Sequence, residues 1–401
     1  MLGSLYIGWG AWQLSFAQDW RSGVDLGQRK RELQYVQKAQ NPMDVAILRN
    51  AKKAGQPVPD LDGRNAKLDK KIGYPSNGGY PPWAYFFAGP VMMISDPDLL
   101  KRSWAVLCVC SIAFCGWRGW QELRPFGRSP ALLCAGSVLA IGGTKTSIYF
   151  GQWSTPLLAV AFAALWLLKD RRKLNQTIGG LLMAVAVTKV TLTLPLMTPL
   201  LLTRRWLALT AAGVLLAIAT TMVCVQVSTP PWTMLSQMTS AGSTYAHRGF
   251  DAAGLLIASG VPAKSAVKGA ALAVAALAAA VHWFGRDRSL LWHFGVAGLV
   301  GRLWTYHKEY DNAILALLLV ALLYAAVRSG KTHLWVGFWL LGLSLWVPPI
   351  DQDNTTLQIV QSIPWLIAGG LFIFGTSGDE GDRCDPESAA VKIKPATVSP
   401  E

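Results

Sequence analysis

From about residue 103 to 375 the chain reads as a succession of apolar runs of roughly 16–25 residues separated by short polar loops. A helix needs about 20 apolar residues to cross the hydrocarbon core of a bilayer, so runs of this length predict transmembrane helices. They fall at about 103–119, 131–149, 154–169, 206–227, 266–284, 290–305, 311–328, 333–348 and 357–375. Another apolar run, Leu2 to Ala17, opens the chain. It lacks a basic leading segment and a clear small-residue cleavage site, which predicts a retained first span rather than a signal peptide.

Two stretches do not fit a simple crossing. Trp83 to Met93 is apolar but too short to span, and predicts an interfacial or half-membrane helix. Residues 176–202 have basic loops at both ends and must therefore go out and return. Lys189, Pro195 and Pro199 break that stretch where a turn is needed, which predicts two short half-depth helices. The expected fold class is all-α: a polytopic membrane protein with about ten full spans plus short re-entrant or interfacial helices.

Composition supports this reading. The chain is 52% apolar and only 15% charged, against roughly a quarter charged in soluble domains, which excludes an ordinary soluble enzyme. Many of the 18 Trp sit at run ends, as interfacial belts require. The net charge of +14 does not point to nucleic acid, because Lys and Arg mostly gather in the short loops. Arg118/Arg124/Arg128, Lys169 to Lys173, Arg204/Arg205, Arg286/Arg288 and Arg328/Lys331 are expected to be cytoplasmic. Both termini then lie inside, and the polar segment 19–80 forms the first outer loop. That loop carries twelve Lys and Arg, but the charge rule weakens for segments of this length. Residues 1–375 are expected to form one transmembrane domain, and 376–401 a disordered cytoplasmic tail. Five of the six cysteines lie inside apolar runs, and no metal-type spacing occurs. No cofactor or metal is expected.

Ionisable groups at membrane depth are costly, and mark candidate chemistry. Lys189 follows cytoplasmic Lys173 by sixteen residues, roughly 24 Å of helix. His307 follows Arg288 by nineteen, roughly 28 Å. Both reach the outer boundary, where Lys145 and Gln152 flank the turn of another hairpin. Three separate pieces of chain thus place Lys, His and Gln at one depth. Cationic groups there suit a phosphate, although Lys145 and Lys189 could each simply snorkel to the headgroups. The outer segment supplies carboxylates: Asp19, Asp25, Glu32, Asp44, Asp60, Asp62 and Asp69. Asp25 lies about seven residues beyond the first span, close enough to act as general base on an acceptor hydroxyl. A lone Asp at such a position is more often the N-cap of a helix, here one starting near Leu26. Tyr80-Pro81-Pro82-Trp83 makes a rigid entry into the short aromatic helix, either a membrane-entry turn or the wall of a groove.

Taken in order, these features resemble glycosyltransferase family 87. The resemblance rests on an Asp-Leu shortly after the first span, Asn41-Pro42-Met43-Asp44 and Tyr80-Pro81-Pro82-Trp83. It continues through Gly151-Gln152, Lys189 before a proline-containing helix, Arg204-Arg205-Trp206, and the turn from Tyr306-His307 to Tyr310-Asp311. It implies a membrane fold of GT-C type and an inverting sugar transfer at the outer face of an inner or plasma membrane. The implied donor is a sugar, mannose favoured, on polyprenyl phosphate, and the implied acceptor a lipid or cell-envelope glycan. Asp25 would be the catalytic base, Lys189 and His307 would contact the donor phosphate, and Tyr80, Pro82, Trp83, Gln152, Tyr306, Tyr310 and Asp311 would line the substrate groove. A membrane transporter or lipid flippase is the rival reading, since broken helices and intramembrane polar groups suit it too. A structural scaffold would leave the polar convergence without a cause.

Overall fold

The computed structural model describes residues 2–16, 21–55, 57, 66–75, 80–245, 251–304, 307–347 and 355–376. Among these, every regular element is a helix. The all-α expectation holds. Four helices are long and apolar enough to cross a membrane: Pro97–Phe126, Trp206–Gln226, Ala263–Phe284 and Glu309–Ser329. A fifth crossing arises if Arg128–Leu139 and Gly143–Phe150, which meet at a 44° bend, count as one. Other runs form shorter apolar helices, including Ser154–Lys169, Val190–Leu202, Leu290–Leu303 and Val360–Gly375. Hydropathy alone therefore gives a larger span count than helix length supports. Between the apolar runs 206–227 and 266–284 lie two further helices, Pro231–Tyr245 and Ala252–Ala258. The expected tail lies outside the described residues except for Thr376.

Burial separates the centre from the periphery. The Glu309–Ser329 segment is 83% buried over its apolar window, whereas Ala263–Phe284 is 17% buried over its own. A helix apolar on all sides belongs in a core or in lipid, and these two take the opposite options. Around the central segment pack Ile112, Leu158, Leu165, Phe294 and Phe338, all nearly inaccessible. Cys108, Cys115, Cys134 and Cys224 are buried free thiols, in keeping with their reading as small hydrophobes.

The break at Lys189 is the element that shapes the site. Helix Lys173–Ala186 stops, Lys189 takes φ −100 and ψ 74, and a short turn Val190–Thr193 follows. Pro195 and Pro199 then keep the chain in short 3₁₀ and α turns through Leu202. Breaking a helix frees carbonyls, which at membrane depth must find donors within the protein. Each has one. Thr193 Oγ1 donates to the Ala186 carbonyl at 2.7 Å, and Trp83 Nε1 to that of Val187 at 3.1 Å. Trp304 Nε1 and His307 Nε2 both face the Thr191 carbonyl. Trp83 and His307, separated by most of the chain, are thus tied to the same break.

The polar segment after the first apolar helix folds onto this platform through the helices Val24–Gln37 and Pro42–Lys53. Arg29 Nη1 and Glu32 Oε2 pair at 2.5 Å, with the Glu32 side chain fully buried. Tyr85 donates to the same Glu32 oxygen at 3.4 Å, and the Arg29 guanidinium lies 4.4 Å from the centre of the Tyr80 ring. Removing one partner of a buried pair leaves the other charge uncompensated, typically at a cost of roughly 3–5 kcal/mol. Arg29→Met is expected to lower thermal stability in detergent by about that amount. The double variant Arg29→Met/Glu32→Leu should recover most of it, because no lone charge remains. A double variant no more stable than the single one would show that packing, not charge, explains the loss.

Candidate functional site

The site begins at a backbone contact between two helix ends. Gly23, at φ 70, starts helix Val24–Gln37, and its N–H donates to the Tyr149 carbonyl at 2.8 Å. Gly151, at φ 72, ends helix Gly143–Phe150. A Cβ on Gly151 would lie 2.6 Å from the Leu26 Cβ, far inside contact distance. Only glycine allows this approach with that backbone. The result is that Asp25, in the first turn of one helix, faces Gln152, just past the end of the other. Gly151→Ala must push Leu26 away and carry Asp25 with it. A shift near 1 Å can cost about 10²-fold in a positioned reaction, and that is the expected loss in kcat. Unchanged kcat in Gly151→Ala would mean that Asp25 needs no such placement.

Asp25 is not a helix cap. Gly23 holds the N-cap position and no side chain caps that end, while Asp25 accepts a hydrogen bond from Gln152 Nε2. The capping alternative raised by the sequence fails because the helix starts one residue earlier than Asp25. Burial pushes the Asp25 carboxyl above its ordinary value, opposed by Arg29, the Gln152 hydrogen bond, Lys189 and Lys308. Its position at a helix N-terminus also favours the anion.

From Gln152 the network continues inward. Gln152 Oε1 accepts from Lys189 Nζ at 3.4 Å, so one neutral amide separates the carboxylate from the ammonium. Lys189 Nζ also donates to Ser154 Oγ at 3.1 Å and forms an ion pair with Asp311 Oδ1. Its ammonium stands 4.9 Å from the centre of the Tyr310 ring. Ser154 Oγ donates to Asp311 as well, and His307 Nδ1 lies 3.0 Å from Asp311 Oδ2. The other His307 nitrogen is 3.1 Å from the Thr191 carbonyl. Both neighbours of the ring are acceptors, so a neutral imidazole donates to one of them only.

The structure therefore joins Asp25, Gln152, Lys189, Asp311, Tyr310 and His307, drawn from four parts of the chain, in one connected group. One point differs from the sequence expectation. Lys189 and His307 do not stand as separate cations, since Asp311, expected only as groove lining, binds both. A buried ammonium at this depth requires a counter-charge, and Asp311 is placed to provide it. Tyr80 and Pro82 lie where helix Pro82–Met92 begins, and Trp83 reaches the break beside Lys189. Tyr306 lies outside the described residues. Lys145 does not join the group; its ammonium is 6.0 Å from the Trp9 ring centre. Asp44 is held elsewhere by Gln237 Nε2 at 2.7 Å, while Gln237 Oε1 accepts from Asn41.

Several members were missed from sequence. Ser154 looked like an ordinary helix start. Arg29 follows Asp25 by four residues and precedes Glu32 by three, helical spacings that pair side chains and could have been read. Arg302 is the lone charge near the end of the apolar run Leu290–Leu303, which is itself a signal.

A family model for glycosyltransferase family 87 matches residues 79–305, more than half of the chain. The chain belongs to glycosyltransferase family 87. The match to family 87 includes Tyr80, Trp83, Gln152, Lys189 and Arg302, and stops short of His307 and Asp311. No curated protein and no solved structure matches the chain. Family 87 membership together with the apolar helices makes this an integral membrane glycosyltransferase, with a sugar donor and an acceptor as its substrates.

Proposed function

We propose that the protein transfers a hexose, mannose favoured, from a polyprenyl-phosphate donor to a lipid or cell-envelope glycan at the outer face of the membrane, with inversion at the anomeric carbon. The observation that carries this reading is the line Asp25–Gln152–Lys189–Asp311–His307, which sets a carboxylate at one end and basic groups at the other.

The chemistry follows from those groups. The acceptor oxygen attacks the anomeric carbon while Asp25 takes its proton. The bond from that carbon to the phosphate oxygen breaks, and its electron pair leaves with the prenyl phosphate. Lys189 neutralises the charge that develops on the phosphate, and His307 donates to it or fixes Asp311. Lys189 supplies the cation for the phosphate, and its ion pair with Asp311 holds the ammonium in place before the donor binds. The neutral amide of Gln152 keeps Asp25 out of an ion pair with Lys189 and so preserves its basicity. In family 87 terms the sidedness, the prenyl carrier and the sugar are all parts of this proposal.

The test uses purified protein in detergent, radiolabelled polyprenyl-phosphate-mannose and a panel of lipid acceptors. Labelled product is expected with no gradient and no second compartment. Recovery of unmodified donor with every acceptor, alongside movement of the lipid in vesicles, would favour a transporter instead.

A further inference from the structure

Asp25, Arg29 and Glu32 stand at i, i+4 and i+7 of helix Val24–Gln37 and so share one face. Arg29 is one turn from Asp25, a spacing that sets Cβ atoms about 6 Å apart. Glu32 is two turns away, roughly 10 Å along the axis. Arg29 Nη1 and Glu32 Oε2 meet at 2.5 Å, and both side chains are buried. Two tyrosines hold the pair. Tyr80, just before helix Pro82–Met92, lies with its ring centre 4.4 Å from the guanidinium, and Tyr85 within that helix donates to Glu32.

Stability alone does not account for this arrangement, because a buried ion pair is often no better than apolar residues of the same volume. Leu26, Leu33 and Val36 are already buried on the same helix. What apolar residues at 29 and 32 could not supply is charge beside Asp25. The carboxylate faces cations from three elements: Arg29 on its own helix, Lys189 from the break and Lys308 ahead of the Glu309–Leu315 turn. Gln152 adds a hydrogen bond, and the Lys101 stem passes beside Gly23. An opposite charge within about 4–6 Å commonly lowers a carboxyl by 1–3 pH units. A base held that low takes up a proton poorly. Glu32 returns a negative charge to the face that carries Arg29. On the opposite side Gln152 has the corresponding role, placing a neutral amide between Asp25 and Lys189.

We propose that Glu32 is a positioning residue for the general base, neutralising Arg29 so that the guanidinium supports Tyr80 beside Asp25 without weakening Asp25 as a base. The inference rests on the reading of Asp25 as the base given above. It assigns the buried pair to the reaction as well as to the fold.

The test follows kcat/KM across pH with polyprenyl-phosphate-mannose and the acceptor that yields product, using full-length protein in detergent. Wild type is compared with Glu32→Gln, Arg29→Met, Arg29→Lys, the double variant Arg29→Met/Glu32→Leu, and Asp25→Asn. Glu32→Gln removes a negative charge roughly 10 Å from Asp25 and should move the acid limb down by about 1 pH unit. Arg29→Met should move the limb up, while Arg29→Lys keeps the charge and should hold it near the wild-type position. The double variant should lie above wild type, because the nearer of the two charges outweighs the other. Packing damage lowers rates in both single variants but does not push their limbs in opposite directions. Limbs that stay in place, or that move the same way in both, would overturn the inference. Should a single variant fail to fold, the double variant decides, and a limb at the wild-type pH would overturn it. An acid limb that survives in Asp25→Asn belongs to another group and removes the general-base reading, with this inference. A limb lost in Asp25→Asn yet unmoved by the Arg29 and Glu32 variants removes this inference alone.

Discussion

Asp25→Asn is expected to lower turnover by roughly 10²–10⁴-fold while leaving donor affinity and thermal stability near the wild-type values. The amide keeps the shape of the carboxylate and can still face Gln152, whose own amide can turn to suit it. What it loses is the ability to accept a proton. Because Gly23 rather than Asp25 begins the helix, no loss of capping confuses the comparison. The pH profile provides an independent check. Burial raises the Asp25 carboxyl above the ordinary range, so activity should fall as pH drops through that raised value, at a higher pH than an exposed aspartate would give. The same shift means that the folded state binds this proton more tightly than the unfolded chain. Its contribution to stability therefore declines as pH rises through the window between the two values. Steady-state rates of wild type and Asp25→Asn across pH measure the first, and thermal unfolding of the same pair across pH measures the second. Wild-type turnover in Asp25→Asn would remove the general-base role.

Lys189→Ala should produce the second large effect, a loss of roughly 10²-fold or more in donor use. The ammonium is the group placed to stabilise the departing phosphate, and its removal also leaves Asp311 to Ser154, His307 and nearby Arg302 for compensation. Asp311→Asn separates the two roles. It keeps the cation but frees it from its counter-charge, so binding of bare prenyl phosphate should hold or improve while Lys189→Ala weakens it. Should Lys189→Ala bind prenyl phosphate as wild type does, the phosphate assignment fails even if the enzyme class stands.

Much of the helix arrangement was legible from apolar run lengths. Ser154–Lys169 and Trp206–Gln226 fall almost where the runs predict, because a continuous apolar stretch has few alternatives to helix at membrane depth. The break near Lys189 was readable from Pro195, Pro199 and the lysine itself. What did not show was pairing. Depth counting put Lys189 and His307 at one level but could not reveal that Asp311 lies between them, since that depends on how the 3₁₀ turn Glu309–Leu315 packs against the break. Nor could it reveal Gly151 against Leu26, a contact set by tertiary approach between segments far apart in sequence. Span number is the part that helix length does not confirm: among the described residues four helices are long and apolar enough to cross, and several apolar runs fold as shorter helices.

The most direct measurement is a structure of the protein determined by electron cryo-microscopy with a short-chain prenyl-phosphate sugar bound. The phosphate should contact Lys189 Nζ and lie beside His307, with the anomeric carbon turned toward Asp25. A lipid phosphate bound away from both basic residues, with Asp25 facing no substrate atom, would contradict the account.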